Sequence, residues 1–233
     1  MLNPKIYDWF KIKGWEPHNY QIELNNKLSN LNSALVIAPT GGGKTLAGFI
    51  PPIADIIKEV PKGLHTLYIS PLKALANDIE RNLEFPIKEM ELDITLETRT
   101  GDTKQSKRNS QKHNPPHFLM TTPESFILML SWETSKKFFS NLKFLIIDEI
   151  HTLFNDKRGD LLSLGISQLR YINSHFKKIG LSATVSDPKT ILLWLNSGDN
   201  PNHNSTIIQQ PKFLNPNIDL SLIHISEPTR LSV

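Results

Sequence analysis

The sequence predicts an α/β fold: a parallel sheet with helices on both faces, preceded by a short helical segment. Two observations carry this. From about Ala34 onward, short apolar runs rich in β-branched residues alternate with longer amphipathic stretches, the pattern of successive βαβ units. Prolines punctuate the alternation at Pro71, Pro123 and Pro188, just before or at the start of a helical pattern, where a missing N–H costs nothing.

The helical preface occupies residues 1–33, with helical periodicity from Tyr7 to Ile12 and from Pro17 to Leu28, split at Gly14. The sheet domain is expected over 34–198. Its strands are ALVIA (34–38), HTLYIS (65–70), DITLET (93–98), HFLMT (117–121), KFLIID (143–148) and KKIGLS (177–182), with helical stretches at 44–60 and 73–92 after the first two. After Asn196 the pattern decays into SGDNPNHNST, a loop composition, so 199–219 reads as the start of a linker or next segment. Within 220–233, the stretch Leu220-Ser-Leu-Ile-His-Ile-Ser-Glu-Pro-Thr-Arg230 resembles the in-frame translation of a transposase sequencing adaptor. The natural reading frame is therefore expected to run on past about Asp219.

Composition sets limits. A chain of 233 residues with 39% hydrophobic content can bury one large core of its own. It has no cysteine, which excludes disulfides, thiolate zinc sites and iron–sulfur clusters. The opening MLNPKIYDWFKIKGW lacks the apolar core of a secretory signal, and no run approaches the roughly 20 apolar residues that span a bilayer. A cytoplasmic protein with no membrane partner is expected. The net charge of +3 is too small to argue for nucleic acid by itself.

The strongest chemical signal is Ala38-Pro-Thr-Gly-Gly-Gly-Lys-Thr45, which follows one expected strand and opens a helix, as a phosphate-binding loop must. Its glycines Gly41, Gly42 and Gly43 let the backbone turn tightly and aim N–H groups at phosphate oxygens, while the helix N-terminus adds its positive end. Lys44 is expected to neutralise the β- and γ-phosphates of ATP, and Thr45 to place its hydroxyl on Mg²⁺. The second signal is Asp148-Glu149-Ile150-His151, at the end of the apolar run Phe144 to Ile147. A buried parallel strand delivers two carboxylates to the edge where open α/β sheets bind ligands. Asp148 is expected to hold Mg²⁺ through its water shell, and Glu149 to polarise the water that attacks the γ-phosphate. Lys44, Asp148 and Glu149 form the candidate catalytic set.

APTGGGKT, DEIH and Ser182-Ala183-Thr184 resemble motifs I, II and III of the superfamily 2 DEAD/DEAH-box helicases, in that order. The resemblance implies a RecA-like P-loop NTPase domain that binds ATP, with Thr40 in the phosphate loop and motif III coupling ATP to nucleic acid. His151 would join that coupling. Ser70-Pro71-Leu-Lys73-Ala-Leu75 looks like motif Ia, Arg99-Thr100-Gly101-Asp102 like the TxGD element, and Thr121-Thr122-Pro123-Glu124-Ser125 like motif Ib. These imply contacts with a nucleic-acid backbone rather than with base edges. Trp15-x-Pro17-x-x-x-Gln21 resembles the element that reads adenine, for which a glutamine amide offers donor and acceptor together. The phrases LYISPLKALANDI, TRTGDTKQSKR and DEIHTL followed by Lys157-Arg-Gly-Asp160 resemble the Lhr-like branch, including the DNA-ligase-associated DEXH helicases. That branch implies an ATP-dependent DNA helicase with a role in repair, of which this chain carries the first RecA-like domain. Motifs IV to VI, expected on a second RecA-like domain in cis, are absent from the sequence. An RNA helicase of the same superfamily, or a non-catalytic nucleotide-binding module, are the competing readings.

Other features read as structural. Lys104, Lys107, Arg108, Lys112 and His113 are expected to be solvated charges after a Thr103 cap; Pro115 and Pro116 interrupt the metal-like spacing of His113 and His117; and Trp132, Trp194, Phe138 and Phe139 read as packing residues.

Overall fold

A computed structural model describes residues 2–39, 41–197, 199 and 204–210. Two helices come first, α1 (Pro4–Ile12) and α2 (Asn19–Leu28), with Gly14 between them at φ +66°. The chain then alternates through β1 (Ser33–Ile37), α3 (Lys44–Lys58), β2 (Thr66–Ile69), α4 (Lys73–Glu89), β3 (Leu96–Arg99), α5 (Gln105–His113), β4 (Phe118–Thr121), α6 (Pro123–Leu130) and α7 (Ser135–Phe139). It continues with β5 (Phe144–Ile147), α8 (Ile150–Leu153), α9 (Lys157–Ile172), β6 (Lys177–Ser182), α10 (Pro188–Leu195) and β7 (Ser205–Gln209).

The strands form one seven-stranded sheet in the order β3-β4-β2-β5-β6-β1-β7, and every pairing is parallel. Side-chain alternation divides its core in two. Ala34, Val36, Tyr68, Met120, Ile146 and Leu181 pack with α1 to α4, whereas Leu35, Ile37, Leu67, Ile69, Leu145 and Ile147 pack with the helices from α6 onward. A strand covered on both faces has no polar side, which is why these segments read as unbroken apolar runs. Each fully buried Leu or Ile contributes about 1.5–3 kcal/mol, so the strands themselves hold the layers together.

Pro123 and Pro188 occupy the first turns of α6 and α10, as the sequence predicts. Pro51, Pro52 and Pro86 instead lie inside α3 and α4, on buried faces. The loop composition expected after Asn196 gives way to a short strand. Ser205–Gln209 adds a parallel strand at the sheet edge, in register with Ser33–Ile37 of β1. Only Ile208 of this strand is buried, so, like β3 at the opposite edge, it lacks the buried apolar run of the five inner strands. Residues 211–233, with the adaptor-like tail, lie outside the described residues.

At the edge where the strands begin, charged side chains close on the protein itself. His65 is fully buried, 3.0 Å from Asp55 through Nε2 and 2.9 Å from the Thr66 hydroxyl through Nδ1. Lys143 reaches the same Asp55 carboxylate at 2.8 Å. The His65 bond, aided by Lys143 against the opposing effect of burial, holds Asp55 below the usual carboxylate range. Lys177 donates to the carbonyls of Leu28 and Ser29. Buried Lys178 donates to Leu195 O and to both Asp199 oxygens, at 2.9 Å each; burial still pulls its pKa down to about 8.

Candidate functional site

Parallel register brings the opposite strand ends to one edge: Ile37 lies beside Ser182, and Ile69 beside both Ile147 and Thr121. The motif residues that follow these strands converge there. Gly41 and Gly43 adopt φ +79° and +76°, the left-handed backbone that only glycine takes without strain, and Gly43 caps α3. Gly42 N–H donates to Pro39 O at 3.1 Å, folding the loop on itself. Thr40 lies outside the described residues.

The preface clamps this loop from one side. Tyr20 donates its hydroxyl to Gly42 O, and Gln21 Nε2 donates to Gly43 O at 3.1 Å. Burial pushes the Tyr20 hydroxyl up to about 12, which keeps it a donor. Gln21 Oε1 accepts the His18 N–H at 2.8 Å, so its amide fastens the start of α2 to the phosphate loop. Gln21 is itself buried, 2% exposed, against the loop it holds. Trp15 stands edge-on against Trp9, with ring centroids 5.7 Å apart. Both border a cavity of about 450 Å³ that reaches Thr45.

Lys44 is buried, and its Nζ lies 2.9 Å from Glu149 Oε1. Glu149 takes φ 46° and ψ 39°, rare for a side-chain-bearing residue, and this turn sends its carboxylate toward Lys44. Asp148 is buried; it accepts the Tyr68 hydroxyl and, at 2.8 Å, the Glu149 N–H. Burial holds its carboxyl above the usual aspartate range, and the two hydrogen bonds offset only part of that. A carboxyl in this state gains from a cation, which fits the magnesium expectation. Among the described residues no cluster of three or more His, Cys, Asp or Glu could hold a metal. Mg²⁺ beside a nucleotide needs only one or two protein ligands.

His151 links motif II to motif III. Its Nδ1 lies 3.3 Å from Ser182 Oγ, 3.4 Å from Ala183 N and 3.4 Å from Glu149 Oε2. Thr184 is exposed just beyond, and Asp187 caps α10 by accepting the Thr190 N–H at 3.2 Å.

The three segments resembling nucleic-acid motifs adjoin one another. Lys73 pairs with Asp102 at 2.9 Å, tying motif Ia to TxGD, and the Thr100 hydroxyl accepts the Asp102 N–H at 3.4 Å. A side chain at Gly101 would meet Lys73 Nζ at 3.3 Å. Thr122 donates its hydroxyl to Ser125 Oγ at 3.3 Å; both are buried beside Pro123, while Glu124 is exposed. Pro71 is buried under exposed Leu72 and Lys73.

Several contributors carry no local signal in the sequence. Tyr68 lies in a strand that its apolar neighbours already explain. Gln210, just past β7, has a buried Oε1 without a hydrogen-bond partner, and it sits 2.8 Å from where a side chain at Gly42 would begin. The reading of residues 104–113 also needs correction. Thr103 is not the cap of α5, because its hydroxyl accepts the Thr100 N–H at 2.9 Å. Arg108 is not simply solvated either: it donates to the carbonyls of Thr100 and Gly101. Lys112 and Arg99 lie over the Trp132 ring, at 5.5 and 4.6 Å. His113 and His117 are engaged with Asn109 O and with Thr95 and Pro61 O respectively.

Comparison with known proteins agrees with this geometry. The DEAD/DEAH box helicase family model matches residues 18–191. The ATP-dependent helicase Lhr-Core of Methanothermobacter thermautotrophicus is 37% identical over 199 residues, covering 79% of this chain and 23% of that protein. The Lhr helicase/uracil glycosylase of Escherichia coli is 34% identical over 94% of this chain and 15% of its own length. The solved Mycobacterium smegmatis helicase Lhr, bound to ssDNA and AMP-PNP, superposes with a TM-score of 0.80 at 36% identity, over 90% of this chain and 28% of that one. The chain thus spans between 15% and 28% of the length of these relatives. Among the described residues no helix is long and apolar enough to cross a membrane. With a RecA-like parallel sheet, a phosphate loop and a DEIH strand end in one crevice, this chain belongs to the DEAD/DEAH box helicase family.

Proposed function

We propose that this chain is the ATP-binding front half of an Lhr-like, ATP-dependent DNA helicase or translocase, working in cytoplasmic DNA repair. The observation that carries the reading is the 2.9 Å pair between Lys44 and Glu149, with Asp148 buried beside it at the mouth of a glycine-rich loop. Gly41, Gly42 and Gly43, with Thr40, cradle the phosphates, and Lys44 exchanges Glu149 for the β- and γ-phosphate oxygens. Glu149, released, accepts a proton from the attacking water. Thr45 and Asp148 would hold Mg²⁺, which would neutralise charge on the phosphates. Gln21, at the start of α2 beside the loop, meets the adenine edge. His151 reports the state of Glu149 to Ser182, Ala183 and Thr184. Lys73, Thr100, Gly101, Asp102, Thr122, Pro123, Glu124 and Ser125, with Pro71, form the face for a single-stranded backbone.

Fast turnover needs a further cation. An arginine from a partner domain contributes on the order of 10³ to 10⁵ in phosphoryl-transfer enzymes, and we assign that part to a second RecA-like domain in cis. The 233-residue chain should therefore bind Mg·ATP, hydrolyse it slowly and bind oligothymidylate better than oligouridylate of equal length. Preference for oligouridylate would move the reading to an RNA helicase. Turnover at an ordinary helicase rate, strongly stimulated by DNA, would refute the half-site account.

A further inference from the structure

Arg158, in the Lys157-Arg-Gly-Asp160 segment to which no task has been given, touches two of the segments that have one. Its Nη2 donates to Pro71 O at 2.8 Å, and its Nε donates to Glu124 Oε1 at 2.6 Å. Pro71 follows β2 and Glu124 stands in the first turn of α6, which follows β4, the neighbour of β2 in the sheet. One guanidinium therefore holds both loops of the proposed DNA face, through two donors at a fixed angle that no lysine can reproduce.

The position of Arg158 is in turn tied to motif II. Glu149 leads directly into α8, which carries His151 and ends at Leu153. Asp156 N–H donates to Leu153 O at 3.0 Å, and Gly159 N–H to Asp156 O at 2.8 Å. A Cβ on Gly159 would lie 1.9 Å from Leu153 O, so the first turn of α9 rests against the last residue of α8 with no room for a side chain. Arg158 is the residue before this contact. The path from Glu149 to Arg158 is short: α8, a turn of three residues and the start of α9.

Stability does not account for the arrangement. The side chains of Arg158 and Glu124 are 36% and 52% exposed, and ion pairs this open add little to folding. Burial alone would raise the Glu124 carboxyl, but the Arg158 bond, with help from nearby backbone and hydroxyl donors, holds it below its ordinary range. Glu124 thus stays an anion on a face meant for phosphates, and the paired Arg158 cation offsets its charge. The pair both positions that carboxylate and cancels its repulsion.

We infer that Arg158 is a positioning residue that carries the state of the ATP site to motifs Ia and Ib together, setting the grip on single-stranded DNA. This rests on the proposed helicase function. The test uses the whole chain with fluorescein-labelled oligothymidylate, read by anisotropy with and without Mg²⁺ and AMP-PNP, and nucleotide binding measured separately. Arg158→Ala should weaken oligothymidylate binding about five- to ten-fold and reduce its response to AMP-PNP. Nucleotide affinity and thermal melting should barely change. Arg158→Lys should lose nearly as much as Arg158→Ala, because one ammonium cannot hold both acceptors. Glu124→Ala should weaken binding too, and the double variant should lose no more than Arg158→Ala alone. Hydrogen exchange at the Leu72 and Ser125 amides should quicken in Arg158→Ala even without DNA.

Full rescue by lysine, with the salt dependence reduced by about one phosphate in Arg158→Ala, would identify Arg158 as a direct phosphate contact and overturn the positioning role. Unchanged oligothymidylate binding in Arg158→Ala would also overturn it while leaving the helicase reading intact. A wild-type chain that binds nucleotide but no oligothymidylate would bring down the nucleic-acid reading, and this inference with it.

Discussion

The two edges of the sheet carry similar residues in opposite states. Where the strands begin, His65, Lys143, Lys177 and Lys178 are each matched to an acceptor supplied by the protein. Where they end, Lys44 is buried against a carboxylate on a left-handed residue, and Asp148 is held above its ordinary range. At the first edge the named charges are already paired within the protein. The second is strained and over-supplied with acid, which a polyanionic nucleotide with a divalent cation would relieve. Burial and charge alone do not distinguish structural from functional sites. The distinction lies in whether the protein has already provided the partner.

Substitutions at the two edges should therefore have opposite signatures. The largest effect is expected from Glu149→Gln, which should lower the slow ATP hydrolysis by about 10² to 10⁴, the usual loss of a general base, with nucleotide affinity kept or raised because Lys44 is freed. Single-turnover hydrolysis with titration of a fluorescent ATP analogue separates the two. Lys44→Ala comes next: losing a charge-assisted phosphate contact worth about 1.5–3 kcal/mol should weaken nucleotide binding by roughly 10 to 100-fold, and thermal melting should stay close to that of the unaltered chain. Asp55→Ala should do the reverse. Leaving the buried His65 donor without its acceptor costs about 1–3 kcal/mol in denaturant unfolding, with nucleotide affinity unchanged. An equal loss of nucleotide affinity in Asp55→Ala would erase the contrast between the edges.

The smallest effect concerns pH. Burial, against the pull of Asp55, lowers the His65 pKa in the folded state. The unfolded chain therefore takes up the proton first, so this stability is intact above about pH 6.5 and drains away as pH falls below it. Asp55, also lowered, adds stability that persists to more acid pH and is lost only as its own carboxyl protonates. Melting temperatures between pH 7.5 and 5 should decline, and His65→Gln should flatten that part of the profile. A profile that stays equally steep in the variant would show that the acid sensitivity comes from elsewhere.

The sequence made some of this visible and hid the rest for a physical reason. The five inner strands of the sheet and the phosphate loop are local patterns: an apolar run, then glycines whose backbone angles only glycine tolerates. Asp148 and Glu149 were legible because a strand end fixes where they point. What escaped depends on distant partners. β7 owes its place to β1, with Ile208 as its single buried residue. Arg108 looks solvated in a basic stretch until the carbonyls of Thr100 and Gly101 come within reach. Tyr68 finds Asp148 across 80 residues, and Arg158 finds Pro71 across 87, separations that no local periodicity records. Gln21 was expected to read a base, and the fold adds a second task by bonding it to Gly43.

The central claim is that the Lys44, Asp148 and Glu149 crevice is an ATP site awaiting its ligand. Calorimetric titration of the 233-residue chain with AMP-PNP, in the presence of Mg²⁺ and again in excess chelator, tests it most directly. The account predicts a single site that weakens sharply when the metal is withdrawn and weakens by roughly 10 to 100-fold in Lys44→Ala. Binding that is indifferent to both Mg²⁺ and Lys44, or no binding by a folded chain, would contradict it.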